Sequence, residues 1–258
     1  GLSWGGSLIR AEAAGFGCVY FAARMLATRN DTLSEKTCLV SGSGNVAQAT
    51  VLKLIAMGAK VVTLSDSSGH IYDDQGIDAE KLAFVKHLKN VRRGRIGDYI
   101  DQYSHAVYTP AAPDQPSNPL WQHRAQCVFP CATQNEISKQ DAYHLINSNI
   151  KLVCEGASMP CTTDARDIFM DKGILYAPSK ATNAGGGAVS GLELTQNSIR
   201  LSWLDEEVDN RLKIIMKGIH TTCLEAAEAY GTPGNYLNGA NIAGFVKVVE
   251  AMLDQGVV

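Results

Sequence analysis

Val40-Ser41-Gly42-Ser43-Gly44-Asn45-Val46-Ala47 joins a short apolar run to a stretch with helical spacing, and its reading decides the fold. The small residues fall as Gly-x-Gly-x-x-Ala. Gly42 permits a tight turn, Gly44 lets backbone approach a pyrophosphate, and Ala47 lets a helix pack close against the preceding strand. A helix opening here aims free N–H groups and a positive dipole end at the phosphates. Alone the pattern is weak, since a Gly-rich turn without a ligand shares it. Its position makes it specific. It lies between a strand at 37–40 and a helix at 46–57, and a second strand at 60–64 leads to Ser65-Asp66 about 20 residues later. Ser43, Gly44, Asn45 and Val46 are the candidate phosphate contacts.

The same alternation extends outward. Residues 11–28 read as a helix, with Phe16, Val19, Tyr20, Ala23 and Leu26 at helical spacing. Asp78 caps a helix running to about Leu88, and a short helix covers 96–103. Residues 106–108 read as a strand, and 109–121, with four Pro, as a surface loop. Further strands fall at 127–129, 150–154 and 174–176, with helices opening at the Ser138 cap and at Thr162 or Thr163. Helices at 184–202, 205–230 and 240–254 fill the last third. The expectation is an α/β fold: a Rossmann-like, doubly wound, mostly parallel sheet with C-terminal helices.

A formal net charge of -3 argues against a general nucleic-acid or membrane-surface partner. No run of about 18 apolar residues suggests a membrane span. The start Gly1-Leu2-Ser3-Trp4 has neither Met nor a basic-then-apolar leader, so a truncated start is expected rather than a signal peptide. The seven Cys are odd in number and scattered through apolar runs, which reads as buried thiols in a reducing cytoplasm. The six His are dispersed, and no metal site is expected.

Asp66, ending the second strand, suits a ribose 2′-OH and hence NAD. Ser67, Ser68 and the run Lys89-Asn90-Val91-Arg92-Arg93-Gly94-Arg95 suit a 2′-phosphate and hence NADP. A solvated basic turn would look the same, so charge alone leaves the two cofactors open.

Several stretches together resemble the hexameric glutamate dehydrogenases. Gly5-Gly6-Ser7-Leu8-Ile9-Arg10-Ala11-Glu12-Ala13 resembles the entry to their cofactor domain. Ser41 to Gln48 resembles their phosphate loop, and Pro130-Cys131-Ala132-Thr133-Gln134-Asn135-Glu136 their nicotinamide-side loop. Ala184-Gly185-Gly186 with Ser190-Gly191-Leu192-Glu193 and Gln196-Asn197-Ser198 resembles the long helix beside the substrate, and Gly239 to Phe245 the closing helix. The resemblance spans nearly the whole chain.

It implies a two-domain subunit of a cytoplasmic homohexamer that interconverts L-glutamate with 2-oxoglutarate and ammonia in nitrogen assimilation. Residues 1–204 would be the dinucleotide-binding domain with its entry helix. Residues 205–258 would be a helical segment that packs back on a domain preceding this chain. Ser67, Lys89, Arg92 and Arg95, with Asp66 beside them, match the pattern of NADP-using members, which favours NADP over NAD. Ala132, Thr133 and Asn135 would line the nicotinamide ribose, Asn183 would lie near the nicotinamide, Ser190 would bind the distal carboxylate of glutamate, and Arg10 would lie near the substrate.

Plainer roles compete: Asn183 as a helix cap, Ser190 as a small packing residue, Arg10 as a surface charge. The family's proton-transfer Lys and Asp belong to the preceding domain, and no stretch here resembles it. No catalytic residue is therefore expected in this chain, which should bind NADP yet not turn over glutamate. Ala14, Ser158 and Gly187 depart from the Thr, Asn and Val usual in the family. A lost amide hydrogen bond costs about 0.5–1.5 kcal/mol, and a widened pocket about 1–3 kcal/mol of selectivity. Two other readings therefore stand: a dehydrogenase of another amino acid, and a non-catalytic NADP-binding or assembly module.

Overall fold

The computed structural model describes residues 3–112 and 115–256. A parallel sheet is built from β1 (Thr37–Val40), β2 (Lys60–Val61), β6 (Cys127–Phe129), β7 (Leu152–Cys154) and β8 (Leu175–Ala177). Its order is β2-β1-β6-β7-β8, and every pairing is parallel. β1, β6, β7 and β8 are almost wholly buried, as short apolar strands covered on both faces must be. The Rossmann-like α/β expectation holds. Strand order reverses between β1 and β6, so the loops leaving those two strands open a crevice at the carboxyl edge, where such sheets take ligands.

The second strand departs from the sequence expectation. It divides at Val62, and its continuation β3 (Thr63–Asp66) pairs antiparallel with β4 (Gly69–Tyr72), a strand the spacing did not suggest. β4 pairs in turn with β5 (Val107–Pro110). Thr63 makes the departure possible. Its hydroxyl accepts from Val40 N–H at 2.9 Å and donates to the Val40 carbonyl at 3.0 Å, replacing the ladder bonds that β1 would otherwise lose.

The proline-rich loop is also shorter than expected. Thr109 and Pro110 close β5, and a single helical turn at Pro119–Gln122 buries Leu120 and Trp121 completely. Residues 113–114 of that loop lie outside the described residues.

The helices are α1 (Ala13–Ala27), α2 (Asn45–Ala56), α3 (Ala79–Lys86), α4 (Tyr99–Gln102), α5 (Lys139–Asn147), α6 (Thr163–Asp171), α7 (Ser179–Thr182), α8 (Ala184–Ile199), α9 (Asp205–Ala229) and α10 (Tyr236–Gln255). Asp78, Ser138 and Thr162 cap α3, α5 and α6 as read. α10 begins earlier than 240 because the Asn235 side chain accepts from Asn238 N–H at 2.9 Å.

α1 is the hub, packed against α2, α8 and α9. Its Tyr20 donates to Asp209 of α9 at 2.6 Å, and Lys53 of α2 meets the same carboxylate at 2.9 Å. Val208, Leu212 and Met216 of α9 share one apolar core with α1. All seven Cys are buried and unpaired as thiols. Among the described residues, no helix is long and apolar enough to cross a membrane, and no cluster of metal-ligating side chains forms.

Candidate cofactor-binding site

The loop from β1 to α2 takes the form its glycines dictate. Gly42 has φ +79°, and a Cβ there would lie 2.9 Å from the Cys131 carbonyl oxygen. Its N–H donates to Ser65 Oγ at 2.7 Å, which fixes the turn against β3. Gly44 is the N-cap of α2, with φ -80°, and a Cβ there would meet no protein atom within 4 Å. No side chain caps this helix end. Asn45 sends its amide away to the Ala11 carbonyl at 2.6 Å, so Asn45 and Val46 contribute backbone here. Unfilled N–H groups at the start of a 12-residue helix form an anion cradle.

A cleft of about 670 Å³ opens in front of this turn. Ser43, Gly44, Asp66, Ser67, Ala132, Thr133 and Asn135, all singled out from sequence, line it. At one end stands the β3–β4 turn. Asp66 accepts from Ser68 N–H (2.9 Å), Ser68 Oγ (2.6 Å), Lys89 Nζ (2.6 Å) and Ile96 N–H (2.8 Å). Burial alone would raise this carboxyl, but Lys89 and the hydroxyl and amide donors hold it down at about 2. The carboxylate is thus occupied and its charge offset. Arg95 Nη1 donates to Ser67 Oγ at 2.9 Å, bringing a guanidinium to the tip of the turn. Arg92 is exposed on the same segment.

At the other end, the loop after β6 is held by Glu136, whose Oε1 accepts from Ala132 N–H (3.0 Å) and Thr133 N–H (3.3 Å). Asn135 adopts a left-handed φ of 56° and donates its N–H to the Met159 carbonyl at 3.0 Å. The sequence reading quoted Glu136 within a motif and gave it no role. It also gave none to His70, whose buried ring forms part of the cleft wall beside Ser65. Local spacing carries no signal for His70, whose ring meets His123 from another segment, whereas Glu136 lies three and four residues after the amides it accepts from.

Arg10, Asn183 and Ser190 lie apart from this cleft. Arg10 pairs with Glu193 of α8 at 3.8 Å. Ser190 donates to the Gly186 carbonyl one turn back, at 3.1 Å. Asn183 does not cap α8 with its side chain; its Nδ2 donates to the Gly156 carbonyl at 3.0 Å. Gly156 and Ala157 N–H both donate to the Pro130 carbonyl at 2.9 Å, so Asn183 is tied through two short links to the loop after β6. Of the three unusual positions, Ala14 is half-buried, while Ser158 and Gly187 are exposed. A Cβ at Gly187 would meet nothing within 4 Å.

The sequence profile of the Glutamate/Leucine/Phenylalanine/Valine dehydrogenases matches residues 5–256. The chain belongs to that family. Relatives include the NADP-specific glutamate dehydrogenase of Giardia intestinalis, 49% identical over 100% of this chain and 57% of its own length. The NAD(P)-specific glutamate dehydrogenase of Xylanibacter ruminicola is 53% identical over 100% of this chain and 56% of its own. The crystal structure of Plasmodium falciparum glutamate dehydrogenase matches with a TM-score of 0.94 at 44% identity, covering 100% of this chain and 54% of that one. The chain thus spans a little over half the length of these family members.

Proposed function

We propose that this chain supplies NADP binding and part of the substrate pocket of a glutamate dehydrogenase, which deaminates L-glutamate to 2-oxoglutarate and ammonia and runs the reverse amination. One observation carries the cofactor choice: Asp66 is saturated and neutralised by Lys89, while Arg95 stands at Ser67. An NAD site keeps its strand-end carboxylate free for the ribose 2′-OH. Here that acceptor is spent, and the cations beside it suit a further phosphate. The NADP-specific name of the Giardia intestinalis relative supports the same choice, while the Xylanibacter ruminicola relative is named NAD(P)-specific.

In this reading Ser43, Gly44, Asn45 and Val46 hold the pyrophosphate, and Ser67, Lys89, Arg92 and Arg95 the 2′-phosphate. Ala132, Thr133, Asn135 and Asn183 fix the nicotinamide end, and Ser190 and Arg10 face the substrate. The nicotinamide, when bound, supplies the hydride-accepting carbon. The protein's part in these residues is to hold that ring against the substrate. In this reading the proton-transfer groups lie in a domain outside these 258 residues, while residues 1–204 are the dinucleotide-binding domain and 205–258 the helical segment that packs back on that outside domain. Exposed Leu194 of α8 and Phe245, Val248 and Leu253 of α10 support packing against that domain or a neighbouring subunit, in what this reading takes to be a cytoplasmic homohexamer. The open space at Gly187 favours a second reading, a dehydrogenase of a bulkier amino acid, which assays of the full-length protein on several amino acids would distinguish.

Fluorescence titration with NADPH and NADH at fixed salt tests the cofactor assignment. NADPH should bind at least about tenfold more tightly, and Lys89→Ala or Arg95→Ala should weaken NADPH by about 10- to 100-fold while changing NADH little, as loss of a charge-assisted hydrogen bond requires. Equal affinity for the two nucleotides would sink it.

A further inference from the structure

The phosphate loop and the basic segment are joined in two places. One is β3: Gly42 N–H donates to Ser65 Oγ at 2.7 Å, and the next residue, Asp66, takes Lys89 Nζ at 2.6 Å. The other is a pair of side-chain amides. Gln48 lies in the first turn of α2, its N–H bonded to the Gly44 carbonyl at 2.9 Å, and it is buried. Gln48 Nε2 donates to the Ser43 carbonyl at 2.8 Å and to Asn90 Oδ1 at 3.1 Å, and Asn90 Nδ2 donates back to Gln48 Oε1 at 3.0 Å. A carbonyl only accepts, so Ser43 fixes which way the Gln48 amide faces, and Gln48 then fixes Asn90. Asn90 follows Lys89 in a wide π turn, His87–Val91, at the end of α3, where Arg92 N–H reaches back five residues to the His87 carbonyl at 3.1 Å. Such turns are rare and are frequent at functional sites. This one sends consecutive side chains to different elements, Lys89 to β3 and Asn90 to α2. The contacts close into a ring that runs from Gly42 through β3 to Lys89 and back through Asn90 and Gln48 to Ser43. A segment held at one point can pivot; held at two, its distance from the phosphate loop is set.

We propose, resting on the functional reading above, that Gln48 and Asn90 are positioning residues for cofactor choice: their amide pair sets the spacing between the pyrophosphate cradle and the 2′-phosphate cations, so that one NADPH engages both at once. Neither side chain has to touch the nucleotide. Two anionic groups on one molecule reinforce each other only when their sites are held at the matching separation, and the gain is lost when that separation drifts. NADH brings the pyrophosphate without the 2′-phosphate, and 2′-AMP the 2′-phosphate without the pyrophosphate, so neither draws on the spacing.

The test is affinity for these three ligands in the parent chain and in Asn90→Ala, a change at the surface that leaves the core intact. NADPH and NADH are followed by their fluorescence, and 2′-AMP by competition against NADPH. In Asn90→Ala, NADPH should bind about 5- to 10-fold more weakly, the scale of one net hydrogen bond. NADH and 2′-AMP should each change by less than about twofold. Gln48→Met breaks the same pair from the other side, and the double variant should lose no more NADPH affinity than Gln48→Met alone, because one contact is broken only once. Unchanged NADPH affinity in Asn90→Ala overturns the inference. So does an equal loss for NADPH and NADH, which puts the effect in the phosphate loop alone, or an equal loss for NADPH and 2′-AMP, which puts it in the cations alone. Losses that add in the double variant overturn the coupling through the pair. A parent chain that binds NADPH no more tightly than NADH overturns the functional reading, and this inference with it.

Discussion

Replacing Gly42 by alanine should cost at least about 100-fold in nucleotide affinity, the sum of a strained backbone and a steric clash. Gly42 sits at φ +79°, where an L side chain is strained by about 1–2 kcal/mol. The added Cβ would meet the Cys131 carbonyl oxygen at 2.9 Å and Ala132 Cα at 3.2 Å, all backbone that no rotamer change can move. Relief requires the turn to shift, which breaks the Gly42 N–H bond to Ser65 and re-aims the first amides of α2. Gly44→Ala is the matched control. At φ -80° and with no protein atom within 4 Å, its methyl group should cost no more than the loss of a better N-cap residue, about 1 kcal/mol, while intruding where a pyrophosphate would lie. Gly42→Ala should therefore lose both stability and binding, and Gly44→Ala chiefly binding. Unaltered affinity in Gly44→Ala would mean that no ligand approaches that backbone.

These two glycines explain why the phosphate loop was legible in the sequence. A positive φ and a missing Cβ are demands on residue type, so they leave a signature at fixed spacing. The caps at Asp78, Ser138 and Thr162 were legible for a similar reason, since each is a bond made within one turn. β4 was not, because Gly69–Tyr72 is held by partners on β3 and β5 and by the exchange of bonds at Thr63, none of which local periodicity encodes. Asp66 shows the limit most clearly. Its position fitted a ribose partner, and only the fold reveals that Lys89 and Ile96, more than 20 residues on, have taken its oxygens.

The segment bearing Lys89 and Arg95 depends on one buried ion pair, and breaking it should destabilise the protein by about 3–5 kcal/mol. Asp73, fully buried after β4, accepts from Lys81 Nζ (2.8 Å), Tyr99 Oη (2.7 Å) and Gln75 N–H (3.0 Å), and sits 3.1 Å from His105 Nε2. Burial works to raise its carboxyl, but Lys81, Tyr99 and His105 together bring it below the ordinary value. A depressed carboxyl adds stability above the usual carboxylate range, and that stability is lost as pH falls through its folded value. Lys81→Met leaves the carboxylate without its cation and should lower the melting temperature by about 10 °C. Its stability should also vary less with pH across the carboxylate range, because without Lys81 the Asp73 carboxyl is held down less and there is less stability to lose on acidification. Asp73→Asn combined with Lys81→Met buries no unpaired charge and should recover part of the loss, a coupling that a double-mutant cycle reads directly. Additive losses in that cycle would show that the two charges act independently. Because α3 carries Lys81 and runs on into the turn that presents Lys89, the weakened anchor should also reduce the preference for NADPH more than it reduces NADH binding.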